Sequence, residues 1–110
     1  MEKMIKRLYD LMYSPIVTPW NLVENAKLDN YEYVNYSKSG NGLVVSMKCK
    51  LGDCRAIFNY HFDQNDALQI IKTAYEDGTV ETVFDRQVET DQLRKGISES
   101  LQRPFACQAV

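Results

Sequence analysis

The stretch from Leu43 to Asp63 reads LVVSMKCKLGDCRAIFNYHFD, and it decides the fold. Gly52-Asp53 is typical of the two-residue turns that join antiparallel strands. With these two residues as the loop, one face of the hairpin is entirely apolar or aromatic. That face consists of Leu43, Val45, Met47, Cys49, Leu51, Cys54, Ala56, Phe58, Tyr60 and Phe62. A slip of one residue would destroy this separation, so the sequence predicts the register as well as the two strands.

The opposite face of this hairpin is mostly polar, and it consists of Val44, Ser46, Lys48, Lys50, Arg55, Ile57, Asn59 and His61. The preceding strand ends at the turn cluster Ser39-Gly40-Asn41-Gly42. The loop is either Gly40-Asn41 or Asn41-Gly42, and both choices place Val34 and Tyr36 on the apolar face. Both also place Tyr31, Tyr33 and Asn35 on the polar face, so the predicted facing does not depend on the loop.

The N-terminal segment has helical periodicity. Over residues 2–13 the apolar side chains recur at helical spacing, at Met4, Ile5, Leu8, Leu11 and Met12. Ser14-Pro15 should end this helix, because the residue before a proline is disfavoured in the α region. Thr18 is then the expected N-cap, and Pro19 the first residue, of a second short helix.

Residues 66–76 fit two patterns. Their apolar side chains follow a helical stripe, yet the residues that follow, Glu76-Asp77-Gly78-Thr79, form a strong hairpin signal. We favour a strand, since isoleucine, threonine and tyrosine are β-favouring residues. The hairpin would place one set of residues on a common face: Ile71, Thr73, Tyr75, Val80, Thr82 and Phe84.

After a strand at 79–85, we expect Thr90 to cap a last helix over roughly 91–102, with Pro104 just beyond its end. The predicted fold is therefore α+β. It is an antiparallel meander of four or five strands, with one or two N-terminal helices and a C-terminal helix packed on one face of the sheet. We expect a single domain over 1–110, in which 104–110 form a flexible tail.

Composition narrows the class of protein. The chain has 110 residues, of which 45% are hydrophobic and 25% charged, which is ordinary for a globular domain. The formal net charge of −2 argues against a general nucleic-acid binder. The longest apolar runs are too short to cross a membrane, and the first residues lack the apolar segment of a signal peptide. We therefore expect a cytoplasmic protein with no membrane partner.

The residues that could carry chemistry form no catalytic or metal-binding motif. Cys49, Cys54 and His61 lack zinc-site spacing, and the histidine lies on the opposite face from the two cysteines. Neighbouring carboxylates such as Glu76 and Asp77 are explained by turn chemistry. We therefore expect no metal, no cofactor and no enzymatic activity.

Tyrosines and cations gather on the polar face of the predicted sheet, and a tryptophan lies near two prolines. Such residues are enriched at protein interfaces, and they also suit nucleic acid or a plain solvated face. The candidate binding residues are Trp20, Tyr31, Tyr33, Lys48, Lys50, Arg55 and His61. The leading interpretation is a protein-interaction module, such as a small adaptor, regulator or chaperone-like subunit. Its partner would be another protein or a second copy, joined through a helix or a sheet edge.

Two other functions fit the same sequence. The first is a small-ligand-binding domain with a pocket between the sheet and the C-terminal helix, lined by Tyr36, Met47, Phe58 and Tyr60. The second is an enzyme that uses His61, the only histidine, with Tyr33 or a lysine.

Overall fold

The computed structural model describes residues 1–109, and their side chains as far as residue 101. Helix α1 (Glu2–Tyr13) comes first, and it is followed by a 3-10 helix, η1 (Pro19–Lys27). The strands and the last helix follow in the order β1 (Tyr31–Ser39), β2 (Gly42–Leu51), β3 (Cys54–Phe62), β4 (Leu68–Tyr75), β5 (Val80–Asp85) and α2 (Arg86–Ala109). The strands form one antiparallel sheet in the order β1-β2-β3-β4-β5, which confirms the predicted α+β meander.

The chain divides into two compact units. One contains α1, Ser14 and the chain from Arg86 onward, and the other is Pro15–Asp85. The second unit holds the whole sheet and η1. That residues 1–110 fold as one domain, with the helices packed on one sheet face, stays a prediction.

The β2–β3 hairpin has the predicted register. Leu51 pairs with Cys54, and the pairing continues without a shift to Leu43 and Phe62. The turn uses Gly52 at a φ of 62°, a left-handed conformation that suits glycine. The most deeply buried side chains of this hairpin all belong to the predicted apolar face: Val45, Met47, Cys49, Ala56 and Phe62.

The structure decides between the two loops proposed for the β1–β2 hairpin. Ser39 pairs with Gly42, so the loop is Gly40-Asn41. Val34 and Tyr36 then pair with Met47 and Val45 on the apolar face, as predicted.

Strand β4 confirms the strand interpretation of residues 66–76, but the predicted facing of β5 is only partly correct. Ala74, not Tyr75, pairs with Val80, because the loop between β4 and β5 is one residue longer than the sequence suggested. Val80 and Thr82 therefore lie on the face opposite to the predicted one. A bulge at Val83 then returns Phe84 to the apolar face, opposite Ile71.

The second helix begins where predicted but is of a different kind. Thr18 precedes it, and both the backbone N–H and the hydroxyl of Thr18 donate to Oδ1 of Asn21 at 2.9 Å. Its 3-10 geometry repeats every three residues, so that side chains at i and i+3 share a face. Pro19, Leu22 and Asn25 form the inner row: the first two are buried and the third is half-buried.

Helix α2 begins five residues before the predicted start. Its first residue is Arg86, so the prediction that Thr90 caps the helix is wrong, and Thr90 is instead buried within it. The helix extends to Ala109 rather than ending near 102. The predicted flexible tail, 104–110, lies outside the residues whose side chains are described.

Candidate protein-interaction surfaces

A network of ion pairs covers one end of the polar sheet face. Nε of Arg55 donates to a carboxylate oxygen of Glu32 at 2.5 Å, and Nζ of Lys48 lies 3.5 Å from the other oxygen. The backbone N–H of Arg55 donates to Glu76 at 3.1 Å. The hydrogen bond from Arg55 is the main reason that the pKa of Glu32 is lowered. Two of the cations predicted to mark this face, Lys48 and Arg55, are therefore balanced by carboxylates that sequence reasoning did not select.

The predicted placement of Tyr31 on this face is wrong. The register shifts between Tyr31 and Tyr33, so that Tyr31 pairs with Cys49 on the apolar face. Glu32 is the extra residue of this β-bulge. Its side chain is thereby free to reach Lys48 and Arg55. Strict alternation could not indicate the shift, and the only signal in the sequence was an acidic residue beside a strand pair rich in cations.

Tyr31 belongs to a group of weak acids on the apolar face. Burial is the main reason that the pKa values of Tyr31, Cys49 and Tyr60 are all raised. Tyr31 and Cys49 raise the pKa of Tyr60 further, because each would carry a negative charge when ionised. The Cys49 thiol is therefore held in its protonated, unreactive form, which agrees with its role as a buried apolar side chain.

Tyr33, Lys48, Lys50 and Arg55 lie close together, whereas His61 lies apart. Tyr33 pairs with Lys48, and Lys50 pairs with Arg55. His61 pairs with Val44 on one side and Ile70 on the other.

Ile57 of β3 pairs with Lys48, which pairs with Tyr33, so these three residues lie level across the sheet. His61 is four residues further along β3, which places it about 13 Å from this level along the strand direction. Burial, followed by the charge of Lys72, lowers the pKa of His61, so its imidazole is neutral near pH 7. The geometry thus does not bring His61 and Tyr33 together for acid–base chemistry.

Trp20 is part of an exposed apolar row on η1. The 3-10 repeat places Trp20, Val23 and Ala26 along one outer face, and all three are exposed. The Trp20 side chain is 67% exposed. We call these three residues the Trp20 row.

The helix beneath the Trp20 row is attached to the sheet at two points. The Tyr36 hydroxyl donates to the Pro19 carbonyl at 2.9 Å, and the Asn25 amide donates to Sδ of Met47 at 3.5 Å. The 3-10 repeat of the helix was the feature that the sequence did not reveal.

Two of the surface pockets lined by described side chains are large enough to receive a small ligand. One, of about 430 Å³, lies at the hairpin ends and is lined by Cys54, Tyr75, Glu76 and Asp77. The other, of about 350 Å³, is lined by Arg7, Glu89, Gln92 and Leu93. Neither is lined by the four residues predicted to form a ligand pocket: Tyr36, Met47, Phe58 and Tyr60.

Within the described side chains, no group of three or more histidine, cysteine, aspartate or glutamate residues could hold a metal ion. No helix among the described residues is long and apolar enough to cross a membrane. Comparisons with protein-family models, with curated proteins and with solved structures find no match to this chain.

Proposed function

We propose that this chain is a non-enzymatic protein-interaction module that anchors a partner protein through the Trp20 row. The single observation behind the proposal is a mostly exposed tryptophan with two exposed apolar neighbours on the same helix face. Tryptophan is among the residues most enriched at the energetic centres of interfaces. The partner we expect offers an apolar pocket that receives the indole, in an adaptor, regulatory or chaperone-like assembly.

The rigidity of the helix under Trp20 supports this proposal. The Thr18–Asn21 hydrogen bonds fix its first turn, and the contacts from Tyr36 and Asn25 hold its inner row on the sheet. An anchor that is already ordered loses less conformational entropy on binding than a mobile one. The Trp20 row is therefore suited to bind without rearrangement.

The charges of the sheet favour a protein over a polyanion as partner. Glu32 pairs with both Lys48 and Arg55, and Glu76 pairs with Arg55. Affinity for nucleic acid comes largely from lysine and arginine side chains that neutralise its phosphates. Here a phosphate would have to compete with the carboxylates for Lys48 and Arg55.

The test uses purification of the tagged chain from its native cell, followed by mass spectrometry and rebinding of the purified partner. Trp20→Ala should lose the partner, whereas Val80→Ala should retain it. Val80 is a matched control because it is also apolar and is 64% exposed, on β5. With purified partner we expect Trp20→Ala to weaken binding by at least about 2 kcal/mol, or roughly thirtyfold in Kd.

Fluorescence gives an independent measurement, since Trp20 is the only tryptophan in the chain. Addition of a partner without tryptophan should shift its emission to shorter wavelength as the indole leaves water. A partner that binds Trp20→Ala as tightly as the unchanged chain, and that leaves the emission unshifted, would disprove the proposed anchor.

A further inference from the structure

Strand β5 forms one edge of the sheet, and its outer side has no neighbouring strand. In an antiparallel pair, successive residues direct their backbone N–H and C=O groups alternately towards the partner strand and away from it. The N–H of Tyr75 donates to the carbonyl of Thr79 at 2.8 Å, so Thr79 faces β4, and Glu81, two residues further on, does the same. Val80 and Thr82 therefore direct their N–H and C=O groups outward, where no backbone group of the described residues meets them.

The side chains along this edge are exposed as well. Val80 is 64% exposed and Val83 is 53% exposed, and Glu81 and Thr82 between them are also exposed. The bulge at Val83 interrupts the regular pairing, so the open edge is short. Its four outward backbone groups have the spacing of a strand, and they are complementary to the backbone of another extended segment. Peptides that add a strand to a sheet bind in this way.

Two carboxylates that lack a cation partner lie beside this edge. An oxygen of Glu81 accepts a hydrogen bond from the Tyr75 hydroxyl at 3.0 Å, and an oxygen of Asp77 accepts one from the N–H of Thr79 at 2.8 Å. The bond with Glu81 is the main reason that the pKa of Tyr75 is raised, and the charges of both carboxylates contribute to the rise. Both charges are therefore close to one hydroxyl. Among the ion pairs of the described side chains, none uses Glu81 or Asp77.

We propose that β5 receives an added strand from a partner protein, and that this strand carries lysine or arginine at every second residue. The residue opposite Glu81 would lie on the same face of the sheet, with the two Cβ atoms roughly 5 Å apart, which suits an ion pair. The residue opposite Thr79 shares that face and lies beside Asp77. Asp77 also lines the pocket of about 430 Å³ at the hairpin ends, which has room for the end of a long cationic side chain. The alternate residues lie opposite Val80 and Thr82, where β-branched side chains pair well.

The same charges argue against a second copy of β5 as the added strand. An antiparallel pair of β5 strands that used both outward residues, Val80 and Thr82, would place Glu81 directly opposite Glu81 of the other copy. Like charges in this position destabilise a strand pair. Lys72, the cation of β4, does not relieve the repulsion, because it pairs with Thr82 and so lies on the opposite face from Glu81. The expected occupant is therefore a basic strand of a different protein.

This inference goes beyond the proposed function and does not depend on it. It uses none of the residues of the Trp20 row, and η1 lies against β1, at the other edge of the sheet. It uses Val80 chiefly through its main chain, which Val80→Ala leaves in place. Binding at β5 and binding at the Trp20 row can therefore be measured separately.

The test measures binding of synthetic peptides to the full chain by isothermal titration calorimetry. The probe is a seven-residue peptide of alternating lysine and valine with blocked ends, and we expect it to bind. A peptide with glutamate in place of lysine should bind at least about tenfold more weakly, because attraction becomes repulsion. A lysine peptide whose valine nitrogens are methylated should also bind at least about tenfold more weakly, since it cannot donate to the outward carbonyls of β5.

Two variants of the chain test the same contacts from the other side. Glu81→Lys should weaken binding of the lysine peptide at least about tenfold, and it should gain affinity for the glutamate peptide. Thr82→Pro removes one outward N–H but no bond to β4, because proline is tolerated in an edge strand where its nitrogen faces solvent. It too should weaken binding of the lysine peptide. The peptide comparisons change no residue of the chain, so they decide the question even where a variant lowers stability.

Glu24→Lys is the matched control, since it makes the same charge change at an exposed position on η1. It should leave peptide binding unchanged, and so should Trp20→Ala. Any one of four outcomes would overturn the inference. These are no binding of the lysine peptide up to about 1 mM, equal binding of either altered peptide, binding insensitive to Glu81→Lys and Thr82→Pro, and loss of binding in Trp20→Ala, which would locate the peptide at the Trp20 row.

Discussion

The guanidinium of Arg86 donates to the backbone carbonyl of Ser14 at 2.8 Å, and it also donates to the carbonyl of Leu11. Arg86 is the first residue of α2, whereas the two carbonyls belong to the C-terminal end of α1. The last carbonyls of a helix lack partners within the helix, and they carry its partial negative charge. A buried cation from the neighbouring helix therefore satisfies the end of α1 and joins the two helices of this unit.

We predict that Arg86→Met lowers the free energy of unfolding by about 2–3 kcal/mol, because it removes a buried cation that donates to two carbonyls at the end of α1. Arg86→Lys should recover part of this loss, since an ammonium can reach one carbonyl but lacks the planar fork of a guanidinium. Urea denaturation of the three proteins measures the difference. Equal stability of the methionine variant and the unchanged chain would show that Arg86 does not support the end of α1.

The ion pairs of Glu32 should make stability depend on acid pH. Its pKa is lowered from 4.5, chiefly by the hydrogen bond from Arg55. The unfolded chain therefore binds this proton at higher pH than the folded chain does. The stabilising contribution is complete above the ordinary pKa and is lost as the pH falls through the lowered value. Glu32→Gln should reduce this acid-side loss, which urea midpoints measured from neutral pH to below pH 4 would detect.

Glu24→Gln is the matched control for this pH dependence. Glu24 is also exposed, and its only described ion pair is with Lys27 on the same helix. We expect its substitution to leave the acid-side slope nearly unchanged. The same slope in the Glu32→Gln variant and in the unchanged chain would contradict the role given to the Arg55 hydrogen bond.

Two glycines should respond to alanine in opposite directions. A Cβ at Gly42 would collide with the backbone carbonyl of Phe62 on the paired strand, and backbone cannot yield as a side chain can. Gly42→Ala should therefore destabilise the chain by about 1–3 kcal/mol. A Cβ at Gly96 would meet only Sδ of Met4, at an ordinary contact distance of 3.6 Å.

Gly96→Ala should accordingly stabilise the chain by up to about 1 kcal/mol, because alanine loses less backbone entropy than glycine in a helix. Thermal unfolding of both variants beside the unchanged chain measures the two shifts. A lower midpoint for Gly96→Ala would mean that α2 and α1 approach more closely at this point than the structure indicates.

The parts of the fold that could be predicted are those in which two independent signals agree. The β2–β3 hairpin has both a two-residue turn and complete alternation, so its register followed without ambiguity. Tyr31 was misplaced because a bulge changes the facing without changing the residue pattern. The start of α2 was also predicted wrongly, because a residue pattern does not show tertiary contacts. Thr90 resembles a cap, yet the helix begins directly after β5, at a residue fixed by its tertiary contacts with α1.

The candidate surfaces were less predictable than the fold. Trp20 could be selected from residue type alone, but the alignment of Val23 and Ala26 with it requires a three-residue repeat. Glu32 was missed because its partners, Lys48 and Arg55, lie on two other strands. The exposed apolar side chains of α1, such as Tyr9 and Tyr13, were hidden within an ordinary amphipathic pattern. The sequence indicates which side chains are apolar, whereas only the packing of α1 indicates which of them remain exposed.

Thr73 places a hydroxyl in the interior of the second unit, on the strand that lies between β3 and β5. Thr73 is fully buried on the apolar face of β4, between Phe58 and Glu81 in the register. Its oxygen is the one buried side-chain nitrogen or oxygen of the described residues that has no hydrogen-bond partner. Such a group costs free energy, because it leaves water without receiving a replacement partner. Valine has nearly the same shape, and it would fill the same space with a methyl group.

We therefore predict that Thr73→Val raises the free energy of unfolding by about 1 kcal/mol. Thr73→Ser, which keeps the hydroxyl and removes the buried methyl group, should lower it by a similar amount. Urea denaturation with a shared slope for the three proteins separates these effects from changes in the unfolded state. A valine variant less stable than the unchanged chain would show that the hydroxyl is hydrogen-bonded in solution, and a buried water molecule would then be the natural partner.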